Sequence, residues 1–293
     1  MYKSVKLNNK NLADFKLLNA NRVKFNSLNE DFFKIYDELS LLKKMALRRN
    51  VNLLKNGENY IGYIWTNKIN ERNCSINSMS IENCENVTQC YKILLSSLNH
   101  CLNLTYLCED KNENTAVLKA IGFKNKSCTL SMYSNLETFN YFSLDTDISF
   151  KRLDRGNDED IRCKIQNEVF QKEDRIPLYL DDIYYDEDQN YYYDEGAIFI
   201  KKKDKYIGYG QIIIENNMPT IVNFGILKEY QGKGYGKQLL AYLLNILKTN
   251  NFNKVFIKVN ADNQIAINLY KSYGFHVYSK ASLWEICKGT PIL

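Results

Sequence analysis

The residues best suited to chemistry form a glycine-rich run, Gln231-Gly-Lys-Gly-Tyr-Gly236, directly after a predicted strand and directly before a predicted helix. Glycines at alternate positions allow backbone conformations that other residues rarely adopt, and they let a ligand approach the main chain. The start of the following helix offers unpaired N–H groups and the positive end of the helix dipole. With Lys233 and Lys237 adding positive charge, the run predicts a site for a pyrophosphate group.

The spacing of the glycines separates this run from two common phosphate-binding motifs. In a P-loop the Gly-Lys pair is followed by Ser or Thr, whereas Gln238 follows Lys237 here. The dinucleotide motif G-x-G-x-x-G needs a glycine at Lys237 or at Leu239. The order that the run does satisfy is Q-x-x-G-x-G.

A second motif follows about 25 residues later along the same half of the chain. Asn260-Ala-Asp-Asn263 leads into Ala266-Ile-Asn-Leu-Tyr270 and then into Tyr273-Gly-Phe275. An Asn before an apolar helical pattern is a typical helix cap, so a capped helix is predicted from Gln264 to Ser272. Phe224-Gly-Ile226 ends the predicted strand that precedes the glycine run.

These two motifs, in this order, resemble the acyl-CoA-binding elements of the GCN5-related N-acetyltransferase (GNAT) superfamily. The resemblance covers residues 147–293 and implies that acetyl-CoA is the acyl donor, that the acceptor is an amine and that no metal takes part. The pantetheine arm is then expected in a gap between the strands that end at Ile226 and Val259. The resemblance implies contacts to CoA from Phe224, Gly225, Ile226, Gln231, Gly232, Lys233, Gly234, Tyr235, Gly236, Lys237, Asn263, Ala266 and Tyr270.

The resemblance also implies catalytic roles for two of these residues. The backbone N–H of Ile226 would polarise the thioester carbonyl, and Tyr270 would protonate the departing thiolate. A buried aromatic on the helix face is the alternative reading of Tyr270, and the motif favours the functional role. Asn263 can be a plain helix cap as well as a CoA contact.

The general base stays open at this point. Glu215 lies at the end of the preceding strand and is the nominal candidate, and Glu173 follows the first helix of this half. Asn223 stands at the midpoint of the strand where the family often has an acid. Deprotonation of the amine through water is the remaining alternative.

The acceptor is suggested only by a cluster of acids and tyrosines before the predicted central strands. An acidic rim would steer a cationic amine inward, although a solvated acidic loop explains the same pattern. The acids are Asp181, Asp182, Asp186, Glu187, Asp188, Asp194 and Glu195, and the tyrosines are Tyr184, Tyr185, Tyr191, Tyr192 and Tyr193. A small-molecule amine is the leading acceptor, a protein N-terminus or lysine is the alternative, and a non-catalytic acyl-CoA sensor or scaffold is the alternative of another class.

Periodicity predicts the elements that must position these residues. A strand is expected over residues 148–153, a helix up to Phe170, a hairpin over 197–214, and a strand over 218–227. A leucine-rich helix over 236–248 and a strand over 254–259 follow, and residues 277–288 are expected to supply two last strands. The polar stretch 177–195 shows no periodic element.

The first half repeats landmarks of the second, which indicates an internal duplication. Tyr60-Ile-Gly-Tyr63 matches Tyr206-Ile-Gly-Tyr209 at an offset of 146 residues, and Gly122-Phe123 matches Gly274-Phe275 at 152. The fold class is therefore expected to be α/β (α+β), with two tandem GNAT-like domains. Each should have a mixed, mostly antiparallel central sheet flanked by helices. The domains are predicted over residues 1–140 and 147–293, with the boundary between 133 and 146.

The first copy departs from the motif at the decisive place. Residues 82–90, where the glycine run should stand, contain no glycine and two acids, Glu82 and Glu85. Acids repel a pyrophosphate group. Leu118 also replaces the tyrosine of the second motif, so this copy is predicted to be degenerate and non-catalytic.

Composition excludes several other classes. The net charge of +5 on 293 residues, without a basic run, argues against nucleic-acid binding. No stretch of about 18 uncharged apolar residues predicts a membrane span, and the first residues do not form a secretory signal, so a cytoplasmic location is expected. The eight cysteines form no C-x-x-C pair and are expected to be reduced, mostly buried thiols. The oligomeric state is open.

Overall fold

The computed structural model describes residues 2–82, 84–99, 101–137, 147–172 and 175–288. The chain forms two compact units, which do not follow the chain as two continuous halves. Unit 1 comprises Met1–Thr129 and Ser279–Leu293, and unit 2 comprises Leu130–Tyr278. The domains predicted over 1–140 and 147–293 therefore differ from the compact units, because the end of the chain returns to unit 1.

Unit 1 contains a mixed sheet in which most neighbours are antiparallel. Its strands are β1 (Tyr2–Lys6), β2 (Val51–Asn56), β3 (Asn59–Lys68), β4 (Asn73–Ile81) and β5 (Asn103–Glu109). They lie in sequence order; only β4 and β5 run parallel, and they pair from Asn73↔Asn103 to Ile76↔Tyr106. Beside β5 lies the last part of β12 (His276–Cys287), antiparallel, from Ala281↔Glu109 to Cys287↔Asn103.

The helices of unit 1 cover this sheet through two apolar clusters. They are α1 (Leu12–Ala20), α2 (Phe32–Tyr36), α3 (Leu41–Arg48), α4 (Val87–Ser96) and α5 (Asn112–Ala120). One cluster joins Phe15 and Phe32 to Tyr63 and Trp65 of β3. The other joins α4 to β4, β5 and the fully buried Trp284 of β12.

Unit 2 repeats the plan of a mixed, mostly antiparallel sheet. Its strands are the last part of β6 (Lys124–Asn135), β7 (Ile148–Arg152), β8 (Tyr192–Lys202), β9 (Lys205–Glu215), β10 (Met218–Ile226) and β11 (Lys254–Asn260). Their order across the sheet is β6-β11-β10-β9-β8-β7. β10 and β11 run parallel, whereas β7, β8, β9 and β10 pair antiparallel with one another in turn.

Helices pack on unit 2 through two separate apolar clusters. They are α6 (Glu159–Val169), α7 (Leu180–Glu187), α8 (Tyr235–Thr249) and α9 (Gln264–Ser272). The leucines of α8 are all buried against Ile200, Ile212 and Val255, and they are Leu239, Leu240, Leu243, Leu244 and Leu247. Ile165 of α6 instead packs with Phe199 and Tyr209. The expected fold class, mixed sheets flanked by helices in both parts of the chain, is confirmed.

Two predicted elements differ from those observed. The polar stretch 177–195 contains α7, whose Ile183 is buried. Of residues 277–288, expected to supply two strands, all but Lys288 lie in the single strand β12. The predicted boundary at 133–146 falls partly on residues 138–146, which lie outside the described residues.

One disulfide contradicts the prediction that every cysteine is reduced. Cys74 and Cys101 are bonded, whereas the other six cysteines are free. The parallel pairing of Asn73 with Asn103 brings Cys74, which follows Asn73, close to Cys101, which lies just before β5. Within the described part of the chain, no helix is long and apolar enough to cross a bilayer.

Candidate active site

The most informative cavity of unit 2 opens where two parallel strands separate. β10 and β11 pair only at Thr220↔Phe256 and Ile221↔Ile257. Beyond that point they enclose a cavity of about 340 Å³. Its wall combines both strands with α9 and the segment after α6, and it consists of Phe170, Arg175, Ile221, Val222, Asn223, Phe224, Ile257, Lys258, Val259, Asn260, Asn263 and Tyr270. The gap expected from the resemblance is present.

A bulge in β10 accompanies the separation of the strands. The register between β10 and β9 shifts between Val222 and Gly225, and Asn223 has a φ of 51°. Asn is among the few residues that tolerate this left-handed conformation. Because a bulge bends its strand and disrupts the ladder, it turns the last part of β10 away from a regular pairing.

The backbone amide of Ile226 points toward the gap. The amide of its neighbour Leu227 donates to the carbonyl of Ile207 on β9, at 2.9 Å. Hydrogen-bonding groups of successive residues in an antiparallel pair point to opposite sides of the strand. The Ile226 amide is therefore directed away from β9, to the side from which β11 has separated.

The glycine run forms the turn that begins α8. Gly232 and Gly234 have φ values of +74° and +86°, and a Cβ atom at either would meet nothing within 4 Å. Their positive φ values favour glycine at both positions, and the space around both residues is open to a ligand. Gly234 is the N-cap of α8, and the amide of Lys237 closes the first turn on its carbonyl at 3.0 Å. The turn therefore presents backbone N–H groups at the positive end of a 15-residue helix.

Gly225 has a different reason to be a glycine. A Cβ atom there would lie 2.1 Å from Cγ1 of Val169, at the end of α6. The missing side chain lets α6 pack directly on β10, beside the bulge. Its contribution is close packing, whether or not its backbone touches a ligand.

Side chains bind the glycine turn to its surroundings. Gln231 Nε2 donates to the carbonyl of Ile226 at 2.8 Å, and Lys233 Nζ donates to the carbonyl of Glu229 at 2.8 Å. The hydroxyl of Tyr235 accepts from Lys202 Nζ at 2.6 Å. The hydroxyl of Tyr273, the C-cap residue of α9, donates to the carbonyl of Lys237 at 2.9 Å. Hence the turn is held against the ends of β10 and α9.

Tyr270 reaches the cavity from α9. Its ring lies 6.1 Å from that of Phe224, centroid to centroid, and both residues line the cavity. Burial raises the pKa of the Tyr270 phenol to about 12. The phenol is therefore protonated at physiological pH and can act as a proton donor. Tyr270 thus packs as a buried aromatic and also lines the cavity.

Asn263 caps α9, as the sequence predicts. Its Oδ1 accepts a hydrogen bond from the amide of Ala266 at 3.1 Å. Asn263 also lines the cavity, whereas Ala266 does not. The capping role and the proposed contact with CoA are thus compatible.

The structure does not bring the nominal base to this site. Glu215 pairs with Met218 at the far end of the nine-residue β10, about 26 Å from Ile226 along the strand. Glu173 lies outside the described residues. No Asp or Glu is among the described residues that line the cavity.

The acidic cluster and its tyrosines are also engaged elsewhere, and none of them lines the cavity. Asp182 Oδ2 accepts from the amide of Tyr179, and Asp194 pairs with Arg155. Tyr191 donates to Asp186 at 2.9 Å. The expectation of an acidic, tyrosine-lined cleft is therefore wrong for this cavity.

A buried polar network, which the sequence did not predict, joins α6, α7, β9 and β10. Arg162 of α6 is 1% exposed, and its Nη2 donates to Gln211 Oε1 at 3.0 Å and to Asp186. Gln211 Nε2 donates to the same Asp186 carboxylate at 3.1 Å, and Asn223 Nδ2 donates to Gln211 Oε1 at 3.0 Å. Arg162 also contacts Glu187, whose carboxyl pKa is raised by burial. The only sequence signal was Gln211 itself, a lone polar residue within an apolar strand.

Two cations in the cavity wall were likewise not anticipated. Arg175 follows α6 and stands over the ring of Phe170 at 5.1 Å, and Lys258 lies on β11. Neither belongs to a recognisable motif, because each is a single basic residue in an ordinary context. Their place in the cavity wall depends on the folded structure and could not be predicted from the sequence.

Comparisons with known proteins agree with this geometry. Residues 163–275 match the family model described as acetyltransferase (GNAT) family. An uncharacterized N-acetyltransferase, YycN of Bacillus subtilis, is 42% identical over 55 residues, which are 19% of this chain and 35% of that protein. The [ribosomal protein bS18]-alanine N-acetyltransferase of Escherichia coli K12 is 32% identical over 66 residues, 22% of this chain and 43% of that protein. The matches thus span less than half the length of these relatives.

Solved structures share the fold over the whole chain. A GCN5-related N-acetyltransferase from Sphaerobacter thermophilus has a TM-score of 0.66 at 12% identity, covering 99% of this chain and 97% of that one. A tandem GNAT protein from the clavulanic acid biosynthesis pathway has a TM-score of 0.59 at 10% identity, covering 99% of both chains. At these identities the likeness concerns the fold alone.

Proposed function

Residues 163–275 belong to the GNAT family of acetyltransferases, and from that premise we propose that the chain transfers an acetyl group from acetyl-CoA to the primary amine of a small molecule. The observation that carries the proposal is the pairing of two features in unit 2. One is the glycine turn at the start of α8, and the other is the gap between β10 and β11.

The donor is proposed to bind with its diphosphate on the glycine turn and its pantetheine arm in the gap. The turn offers backbone N–H donors and open space at Gly232 and Gly234. The arm would lie along Phe224, Gly225 and Ile226, where β10 has lost its pairing with β11. Gln231, Lys233, Tyr235, Gly236, Lys237, Asn263 and Ala266 remain proposed contacts or supports of the bound donor.

The reaction we propose is direct attack of the neutral amine on the thioester carbon. A C–N bond forms while the carbonyl oxygen gains negative charge, which the Ile226 amide would stabilise. The C–S bond then breaks, and Tyr270 would donate its proton to the departing sulfur. The proton lost by the amine passes to water, since the cavity wall holds no carboxylate among its described residues.

We propose that catalysis belongs to residues 147–293 and that residues 1–140 are a degenerate copy. Both parts show the order of three antiparallel strands, a helix, a parallel strand and a further helix. In the first part, α4 begins after Asn86, without the glycines that begin α8. The first part would then serve as a structural partner.

A small acceptor suits the size of the cavity, because the pantetheine end of the donor would occupy part of the same space. Its volume of about 340 Å³ is near the lower end of the range for small-molecule sites. A protein N-terminus is the second candidate, and the likeness to a [ribosomal protein bS18]-alanine N-acetyltransferase favours it. Either acceptor presents a primary amine to the same thioester.

The experiment is a screen of the purified full chain with acetyl-CoA against primary amines and short peptides, with separation of CoA and products by chromatography. Separation is needed because the chain has free cysteines, one of them exposed, that would react with thiol reagents. We expect at least one small amine to accelerate CoA release above the amine-free rate. Acceleration only by peptides would move the acceptor to proteins. Binding of acetyl-CoA without acceleration by any amine would favour a sensor or scaffold.

A further inference from the structure

The buried network beneath β10 fixes which side-chain atom of Asn223 is engaged by Gln211 and which is left for a ligand. Asn223 lines the cavity at the bulge, and its Nδ2 is bound to Gln211. We propose that Asn223 Oδ1 accepts a hydrogen bond from an N–H of the acceptor amine and so orients its lone pair toward the thioester. This inference rests on the proposed acetyl transfer and adds to it a residue that binds the acceptor.

The orientation of the Gln211 amide follows from its two charged neighbours. Arg162 carries only donors, so the atom of Gln211 that it contacts at 3.0 Å must be Oε1. Asp186, when ionised, carries only acceptors, so the atom that it contacts at 3.1 Å must be Nε2. A flipped Gln211 amide would place donor against donor and acceptor against acceptor in a fully buried position.

The orientation of Asn223 follows in turn. Gln211 Oε1 accepts from Asn223 as well as from Arg162, so the Asn223 atom at 3.0 Å must be the donor Nδ2. Asn223 Oδ1 is then the side chain's remaining hydrogen-bonding atom, and it receives no hydrogen bond from the described part of the chain. The residue is only partly buried, and it borders the cavity next to Phe224.

A carbonyl oxygen in this place suits a neutral amine. Such an amine has N–H groups to donate and one lone pair for attack. An N–H bound to Asn223 Oδ1 leaves the lone pair free, whereas Asn cannot take the proton. Asn223 would therefore orient the acceptor without acting as a base, which agrees with the absence of acids among the described residues that line this cavity.

The left-handed backbone at Asn223 provides a selective test. Glycine adopts a φ of 51° readily, so the substitution N223G preserves the backbone conformation while it removes the whole Asn223 side chain, including Oδ1. The matched control is N217G, because Asn217 also has a positive φ, 60°, but lies in the β9–β10 turn away from this cavity. Both variants are compared with the wild-type chain for thermal stability, acetyl-CoA affinity by calorimetry, and kcat and KM for the best amine of the screen.

We expect N223G to retain acetyl-CoA affinity and to lose about tenfold in kcat/KM for the amine, the effect of one lost neutral hydrogen bond near the upper end of its range. N217G should leave kcat/KM unchanged. An unchanged kcat/KM in N223G, with wild-type activity present, would overturn the inference. A wild-type chain that binds no acetyl-CoA would overturn the proposed function, and this inference with it.

Gln211 is a positioning residue in this scheme, since it acts only through Asn223. The variant Q211L should therefore lower kcat/KM for the amine, and the double variant N223G/Q211L should be no worse than N223G alone. A purely structural role for Gln211 would instead give losses that multiply in the double variant. Multiplying losses would overturn the positioning role.

Discussion

The side-chain amide of Gln231 donates a hydrogen bond of 2.8 Å to the backbone carbonyl of Ile226. This contact joins the start of the glycine turn to the end of β10. The carbonyl it engages belongs to the residue whose amide points into the gap. The proposed sites for the diphosphate and for the thioester are therefore held together by one side chain.

Removing that contact should weaken donor binding without unfolding the protein. We expect Q231L to lower acetyl-CoA affinity about five- to tenfold, because the turn loses one hydrogen bond that holds it against β10. The measurement is calorimetry with acetyl-CoA. Q264L is the control, since Gln264 is exposed and bonds only within α9, to Asn268. Equal affinities in Q231L and the wild type would contradict this role.

A larger effect is expected from G234D. It places a side chain and a negative charge where the diphosphate is proposed to lie, in addition to the strain of a non-glycine residue at positive φ, about 1–2 kcal/mol. G57D carries the same strain, since Gly57 has a φ of +58° and open surroundings in the β2–β3 turn. We expect loss of acetyl-CoA binding in G234D and normal binding in G57D, by calorimetry. Binding retained by both would remove the turn from the donor site.

Much of this geometry could be predicted from local patterns. The bounds of α9 were predicted as observed, and α8 extends one residue beyond its prediction at each end, because a glycine turn or an Asn cap precedes a regular apolar face in both. The family resemblance, which rests on those two motifs, is confirmed. The assigned roles of individual residues stay predictions.

Other features depend on long-range pairing that no local pattern contains. The Cys74–Cys101 disulfide requires β4 and β5 to lie in parallel register. α7 was missed because its exposed faces carry acids and tyrosines and only Ile183 and Glu187 are buried. That β12 continues as one strand depends on its pairing with β5, which no local pattern contains.

The buried network had no local signature either, because its members come from four separate elements. Arg162 lies on α6, Asp186 on α7, Gln211 on β9 and Asn223 on β10. Each is unremarkable within its own element, apart from the lone polar position of Gln211. Their shared function follows only from contacts within the folded unit.

Arg162 should be a major determinant of the stability of unit 2. Substitution R162M would leave Asp186 and the buried Glu187 without their cation, and we expect a loss of about 3–5 kcal/mol in the free energy of unfolding. R155M is the control, because the Arg155–Asp194 pair is exposed and should contribute at most about 1 kcal/mol. Denaturant titration measures both. Similar losses in the two variants would show that the buried network is not specially stabilising.

Tyr270 is expected to act on turnover and not on donor affinity. In Y270F we expect a fall in kcat of about 10²-fold, the lower end of the effect of a general acid, with unchanged acetyl-CoA affinity. Burial raises the pKa of this phenol to about 12. The phenol therefore keeps its proton as the pH rises through the physiological range, and it loses that proton only near its pKa. The pH profiles of kcat should therefore have the same shape in the variant and the wild type below pH 10. Unchanged turnover in Y270F would exclude Tyr270 from the mechanism.

The most direct test of the central claim is calorimetric titration of the full chain with CoA and, separately, with pantetheine, which lacks the diphosphate. Two temperatures are needed, because the enthalpy of binding can vanish at one of them. We predict saturable binding of CoA to one site per chain and no measurable binding of pantetheine at the same concentrations. Equal binding of both ligands, or no heat with CoA at either temperature, would contradict the assignment of the α8 turn as a diphosphate site.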